Sequence, residues 1–277
     1  MKQQPAAHGM RVFIVIWFGQ LISVLGSGLT NFALGVWIYQ KTGSTTLFAL
    51  NPLAYALPNL IVSPFAGALV DRWDRRRAMI FSDTGAGLST LAVALLLLGG
   101  RLEIWHVYLV TAVSSAFSAF QWPAYSAATT LLVPKSQLGR AGGLVQIGEA
   151  VSQLLSPAIA GVLFVTVGLA GVTLIDFATF FFALLTLLVV RFPQPEKTAE
   201  GAAGKGTLLK EAAYGWKYIL LRPGLLGLLV VFAVTNFLGG LTNTLIYPLL
   251  LDMTTAEMLG YLVSFVGLGM LLGTVPP

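Results

Sequence analysis

Gly67-Ala68-Leu69-Val70-Asp71-Arg72-Trp73-Asp74-Arg75-Arg76-Arg77 is the stretch on which the fold turns. Four arginines and two aspartates stand within the seven residues from Asp71 to Arg77. On either side lies an apolar run long enough for a helix to cross hydrocarbon, Thr46 to Val70 before it and Ala78 to Gly99 after it. A short basic turn between two such runs reads as the connection of a membrane hairpin. Gly67 lets one helix end against a close neighbour. Asp71 sits where its carboxylate can meet the positive N-terminal end of a partner helix, and the four arginines can hold acidic side chains or lipid headgroups.

Composition extends this reading to the whole chain. Of 277 residues, 56% are apolar or aromatic and only 10% are charged, against about 25% charged in an ordinary soluble domain. A soluble enzyme is therefore excluded as the default. Cysteine is absent, which removes disulfides, thiolate nucleophiles and cysteine-bound metals. His8 and His106 have no sequence-near partner for metal binding or catalysis, so no metal site is expected.

Eight spans are expected: Val12 to Tyr39, Thr46 to Val70, Ala78 to Gly99, Ile104 to Trp122, Ala141 to Val167, Leu169 to Val190, Gly224 to Leu251 and Met258 to Val275. With a cytoplasmic N-terminus, 14 of the 16 Lys and Arg residues fall in inside segments, and only Lys41 and Arg101 fall outside. This asymmetry predicts the orientation. It also accounts for the net charge of +5 without a nucleic-acid surface, since the cations are spread over several inside loops and face anionic headgroups. The first span, too long for a cleaved leader and without a small-residue cleavage site, is expected to stay as a signal anchor.

The expected organisation is a six-helix bundle over residues 1–190, a cytoplasmic linker over 191–222 and two further spans over 223–277. The linker opens with Pro193 and Pro195, passes a Gly/Ala/Lys stretch from Gly201 to Gly206, and continues as an amphipathic surface helix from Leu208 to Leu221. Gly204-Lys205 evokes a phosphate loop, but Ala199 stands where that loop needs its first glycine, so nucleotide binding is set aside. Six spans, a linker and two more look like a unit stopped partway through its second half, and the chain is expected to be a fragment.

The arginine stretch resembles the signature loop of the major facilitator superfamily. Gly67, Asp71, Arg72, Arg75 and Arg76 match that pattern, while Asp74 replaces its usual glycine. The resemblance implies an all-α polytopic membrane protein, with the six-helix N-terminal bundle and the first two helices of the C-terminal bundle. It also implies that the loop latches the two halves in one conformation, a role carried to Asp71, Arg72 and Arg75 with Gly67 as the packing position. Asp83, less than two turns into the third span, is expected to be the salt-bridge partner of the arginines. Pro123-Ala124-Tyr125, Leu131 to Pro134, Arg140 to Gly143, Asp176 with Thr179 and Phe180, and the run Glu211 to Pro223 resemble the branch of drug:proton antiporters that holds macrolide-efflux proteins and the enterobactin exporter. Two departures stand out. Only Pro157 and Gly161 remain of the span-five Gly-Pro and Gly-Gly pairs common in drug antiporters, and span four carries no arginine.

Polar residues inside spans normally face protein or a water-filled cavity. Gln20, Ser23, Ser27 and Asn31 recur at helical spacing in span one, and Thr111, Ser114, Ser118 and Gln121 in span four. Span five carries Gln146, Glu149, Gln153 and Ser156, and span seven Asn236, Thr242 and Asn243. Gln20, Asn31, Gln121 and Asn236 are the candidate cavity residues, since the resemblance implies that spans one, four and seven line a central cavity. The competing role is helix–helix glue. Glu149 and Asp176 are the sharper cases, because a carboxylate inside hydrocarbon costs on the order of 3 kcal/mol on insertion scales. They are candidates for proton coupling or for a structural bond between helices. Pro157 and Gly161 are candidate kink positions, as are Gly26 and Gly28.

The function expected from these features is secondary active transport by alternating access: proton-coupled efflux of an amphipathic small molecule, driven by the proton gradient without a cofactor. A membrane scaffold or sensor and a lipid-modifying membrane protein are the alternatives. The latter lacks a Gly-x-Ser-x-Gly elbow or a His-Glu-x-x-His helix. The expected partners are the small-molecule substrate, membrane lipids and the remaining C-terminal helices of the same protein. The expected location is a bacterial inner membrane.

Overall fold

The computed structural model describes residues 7–190 and 217–273, the side chains of 7, 8, 71 and 269–273 excepted. Among them are α1 (Ala7–Thr42), α2 (Thr45–Arg72), α3 (Arg75–Leu98), α4 (Ile104–Ser118), α5 (Gln121–Leu132), α6 (Leu138–Val189), α7 (Pro223–Met253) and α8 (Ala256–Gly273), with no strand. Most of the expected linker, residues 191–216, lies outside the described residues, and so does most of its surface helix; residues 217–220 are helical.

The helix ends follow local chemistry. Ser44 caps α2 by accepting from the Leu47 N–H at 3.3 Å, and Asp74 caps α3 by accepting from the Arg77 N–H at 2.9 Å. The residue that departs from the family pattern is thus the one that starts the third helix. Three glycines with positive φ, Gly43, Gly100 and Gly168, sit after α1, after α3 and inside α6. All three lie at one end of the bundle.

Two boundaries differ from the expected spans. The fourth continues past Trp122 as α5 to Leu132, bent at Ala119 and Phe120. Pro123 lies in the first turn of α5, where its missing N–H costs least, and the helix resumes rather than stops. The fifth and sixth spans are one run, α6, broken at Gly168 (φ 68°, ψ −179°). Its two arms run in opposite directions along α1. Gly148 meets Trp17 and Gly28 meets Ser156, a parallel register; Gly26 meets Asp176 and Thr179, and Gly19 meets Thr186, an antiparallel one. The chain therefore turns back at Gly168, and the expected pair of spans is present within one assigned helix.

Apolar burial is split between the two ends of this bundle. One cluster joins Phe32, Ile38, Val93, Val107, Leu169 and Leu259 at the glycine end. The other joins Phe13, Ile16, Val70, Met79, Leu132 and Leu187 at the arginine end. Between them lies a polar layer. α8 packs tightly on the first arm of α6: an added Cβ at Gly161 would meet the Ala256 carbonyl, and one at Gly260 the Pro157 carbonyl. Pro157 and Gly161 therefore mark a close helix seam, while the break in α6 falls at Gly168. Gly26 and Gly28 likewise permit close approach, to Asp176 and Ser156. α7 is exposed along its length, with Pro248 its one buried residue.

Candidate functional site: a carboxylate-lined cavity

The polar layer encloses a cavity of about 490 Å³, within the range of small-molecule pockets, about 300–1,000 Å³. All of its described lining comes from α1 to α6. The entire span-one stripe is there, Gln20, Ser23, Ser27 and Asn31, with Ser118 and Gln121 from span four and Glu149 and Gln153 from the first arm of α6. Asp83 and Asp176 complete the acidic groups.

A relay of amides holds one side. Gln121 Nε2 donates to Gln20 Oε1 at 2.6 Å, and Gln20 Nε2 donates to Asp83 Oδ2 at 2.9 Å. Asp83 is 8% exposed. It faces α1 and the cavity, which corrects the expectation of a salt bridge with the arginine loop: two turns of helix carry its side chain away from Arg75 and Arg76. Asp176, 4% exposed, accepts from Thr90 Oγ1 at 3.1 Å and from Ser27 Oγ at 3.4 Å. These hydroxyls satisfy a carboxyl that burial alone would leave unpaired. Glu149, half-buried, makes no hydrogen bond among the described residues and stands close enough for its charge to act on the Tyr125 hydroxyl.

Some residues of the polar stripes also bind helices together. Thr111 Oγ1 donates to Asn51 Oδ1 at 3.1 Å. With Tyr108 on the Leu47 carbonyl and Ser115 on the Tyr55 carbonyl, it forms a ladder that fastens α4 to α2, the glue role of small polar groups in lipid. Ser156 donates to the Leu25 carbonyl at 3.2 Å. Asn236 is exposed and donates to the Phe232 carbonyl on its own helix at 2.8 Å; it is not among the described cavity lining. Periodicity places a polar residue on a face, and the facing helix decides what that face meets.

The sequence reading did not single out Trp17, Trp122 and Thr90, which also line the cavity. The signal for Trp17 was present: it continues the span-one stripe three residues before Gln20. Tyr125 lies four residues after Gln121 on the same face.

The arginine stretch forms the turn between α2 and α3. Arg76 donates from Nε to the Leu187 carbonyl and from an Nη to the Leu188 carbonyl, both at 2.6 Å. It thereby satisfies carbonyls that the C-terminus of α6 leaves unpaired. Arg75 donates to the Trp73 carbonyl at 3.1 Å. Trp73 stacks on Phe120 at the α4–α5 bend and meets Phe81 edge-on. An added Cβ at Gly67 would meet nothing within 4 Å, which corrects its expected packing role. The Asp71 side chain lies outside the described residues.

At the opposite end, the Tyr39 hydroxyl donates to Asp252 Oδ1 at 2.6 Å. Tyr247 packs against Phe32 and Phe48. These contacts join α7 to the first helices at the glycine end.

A multi-pass helical bundle around a polar, acid-bearing cavity is the architecture of a membrane transporter. Residues 16–276 match the Major Facilitator Superfamily, and the chain belongs to that family. It is 30% identical over 238 residues to macrolide efflux protein A of Streptococcus pyogenes, an overlap of 86% of this chain and 58% of that protein. It is 26% identical to the enterobactin exporter EntS of Shigella flexneri over 278 residues, 99% of this chain and 63% of that protein. An MFS-type transporter of Bacillus subtilis, YfiS, is 26% identical over 275 residues, 98% of this chain and 64% of that protein. The chain thus spans about three-fifths of the length of these relatives. It is a multi-pass membrane protein of a transporter family with efflux proteins among its relatives.

Proposed function

We propose that the protein is a proton-coupled efflux transporter for amphipathic small molecules, working by alternating access, with the N-terminus in the cytoplasm of a bacterial cell and the spans in its inner membrane. The observation that carries this reading is the cavity: two buried carboxyls, Asp83 and Asp176, and the half-buried Glu149 face a space of ligand size. A carboxyl that alternates between charged and neutral forms as the cavity changes its access is what proton coupling requires. Asp176 is assigned the proton-carrying role, because the Ser27 and Thr90 hydroxyls can donate to its charged form and turn away from its neutral one.

In this reading the α2–α3 turn is the latch. Arg72, Arg75 and Asp71 engage the second half, while Arg76 keeps the turn fixed to the end of α6. The six-helix unit and the helices from 223 act as parts of two halves that rock against each other, joined through residues 191–222. Lipid and further C-terminal helices of the same protein cover α7, and the relatives' efflux of macrolide and enterobactin supports the export direction. The test is flux in vesicles carrying the full-length protein. An imposed pH gradient is expected to drive uptake of at least one compound from a drug panel into inverted vesicles, and Asp176→Asn to reduce proton-driven flux at least tenfold. Absence of gradient-driven flux across the panel rejects the transporter reading; wild-type flux in Asp176→Asn rejects the coupling assignment.

A further inference from the structure

The cavity has a one-sided charge inventory. Three carboxyl residues line it, and no Lys, Arg or His is among its described lining. Whatever the protonation of the two aspartates, no group of the described lining can become positive. An anionic ligand would exchange water for a site without a countercharge, which is a strong penalty in a low-dielectric space. A cation meets the reverse.

The three carboxyls are not equivalent. Asp83 is held by Gln20, and Asp176 by Ser27 and Thr90. Glu149 has no hydrogen-bond partner among the described residues. Beside it, the Tyr125 side chain is 9% exposed, and its hydroxyl has no hydrogen-bond partner. A buried hydroxyl left unpaired within the cavity lining costs free energy that a ligand can recover. Trp17 and Trp122 also line the cavity, and indole rings attract a positive centre.

We propose that the cavity selects amphipathic organic cations, with the Glu149 carboxylate and the Tyr125 hydroxyl as the contact for the positive centre and Trp17 and Trp122 as the aromatic walls around it. This deepens the transporter reading and rests on it for the passage of the cation across the membrane, though not for binding.

The test compares two probes of nearly equal size and shape, tetraphenylphosphonium and tetraphenylborate, with the full-length protein in phosphatidylcholine nanodiscs. Saturable binding of the phosphonium is expected, with no saturable binding of the borate. Glu149→Gln is expected to weaken phosphonium binding at least tenfold and Glu149→Asp to restore most of it, while Tyr125→Phe is expected to weaken binding of benzyldimethylammonium, a cation with an N–H donor, about threefold, and wild-type affinity there rejects the Tyr125 contact. Equal binding of the two probes, or preference for the borate, overturns the proposal, as does wild-type phosphonium affinity in Glu149→Gln. Should Glu149→Gln not be recovered folded, the probe comparison on the unaltered protein and the Tyr125→Phe titration still decide the matter. Vesicle flux separates the two readings: charge-selective binding without gradient-driven transport of any compound defeats the transporter reading alone, whereas gradient-driven transport with no charge preference defeats this one alone.

Discussion

The two ends of the bundle are built from different chemistry. At the glycine end the chain reverses at Gly43, Gly100 and Gly168, all with positive φ, and the helices are drawn together by apolar and aromatic packing around Phe32, Phe48 and Tyr247. At the arginine end the turns are tied by polar bonds, Asp74 onto the start of α3 and Arg76 onto the carbonyls of Leu187 and Leu188. α7 joins the first helices at the glycine end through Tyr247, Leu250 and Leu251 and the Tyr39–Asp252 bond. Close glycine turns suit an end drawn tight by packing, and the forked donors of arginine suit an end held by polar bonds.

The sharpest way to break this contrast is at Gly168. Its φ and ψ lie in a region that is essentially restricted to glycine, and another residue held there costs about 1–3 kcal/mol. Gly168→Val should separate the two arms of α6 from their register on α1. The expected result is a large loss of monodisperse protein on size exclusion after detergent extraction, and a wild-type yield would show that the turn tolerates another geometry. At the opposite end, Arg76→Ala removes two charge-assisted bonds to carbonyls and is expected to cost about 2 kcal/mol, seen as a lower thermal midpoint in detergent. Arg76→Lys should recover part of it, since one donor can be replaced but not the fork. The smallest effect is expected for Tyr39→Phe, about 1 kcal/mol for a single bond to Asp252, read in the same melt. A larger loss than that of Arg76→Ala would reverse the contrast.

How much of this was visible beforehand depends on the distance over which each signal acts. Span lengths and the cationic end are local properties. So is the face shared by Gln20, Ser23, Ser27 and Asn31, and all four line the cavity. The fate of Thr111 and Asn236 was not local. Both have the spacing of cavity residues; Thr111, which lines a smaller pocket beside Asp176, also bonds to Asn51 on α2, whereas Asn236 turns back on its own helix. Asp83 shows the same limit in reverse: nearness in sequence to the arginines suggested an ion pair, and the rotation of α3 presented it to Gln20 instead. Gly161, expected at a kink, lies in the close α6–α8 seam, and Gly67, expected to pack, meets no described neighbour, because a glycine permits close packing without specifying which neighbour will use it.

By itself the sequence determined a bundle of apolar helices, most of its turns, and which residues share a face, because insertion into lipid requires long uncharged helices whose backbone groups are satisfied internally. Only the tertiary structure decided which faces meet. In lipid, where tails are as apolar as the helices, no hydrophobic gradient assigns one face to a particular neighbour; small residues and interhelical hydrogen bonds do so. The placing of Asp83, Glu149 and Asp176 around one space, with no basic side chain in its described lining, is therefore a product of packing between helices far apart in the chain.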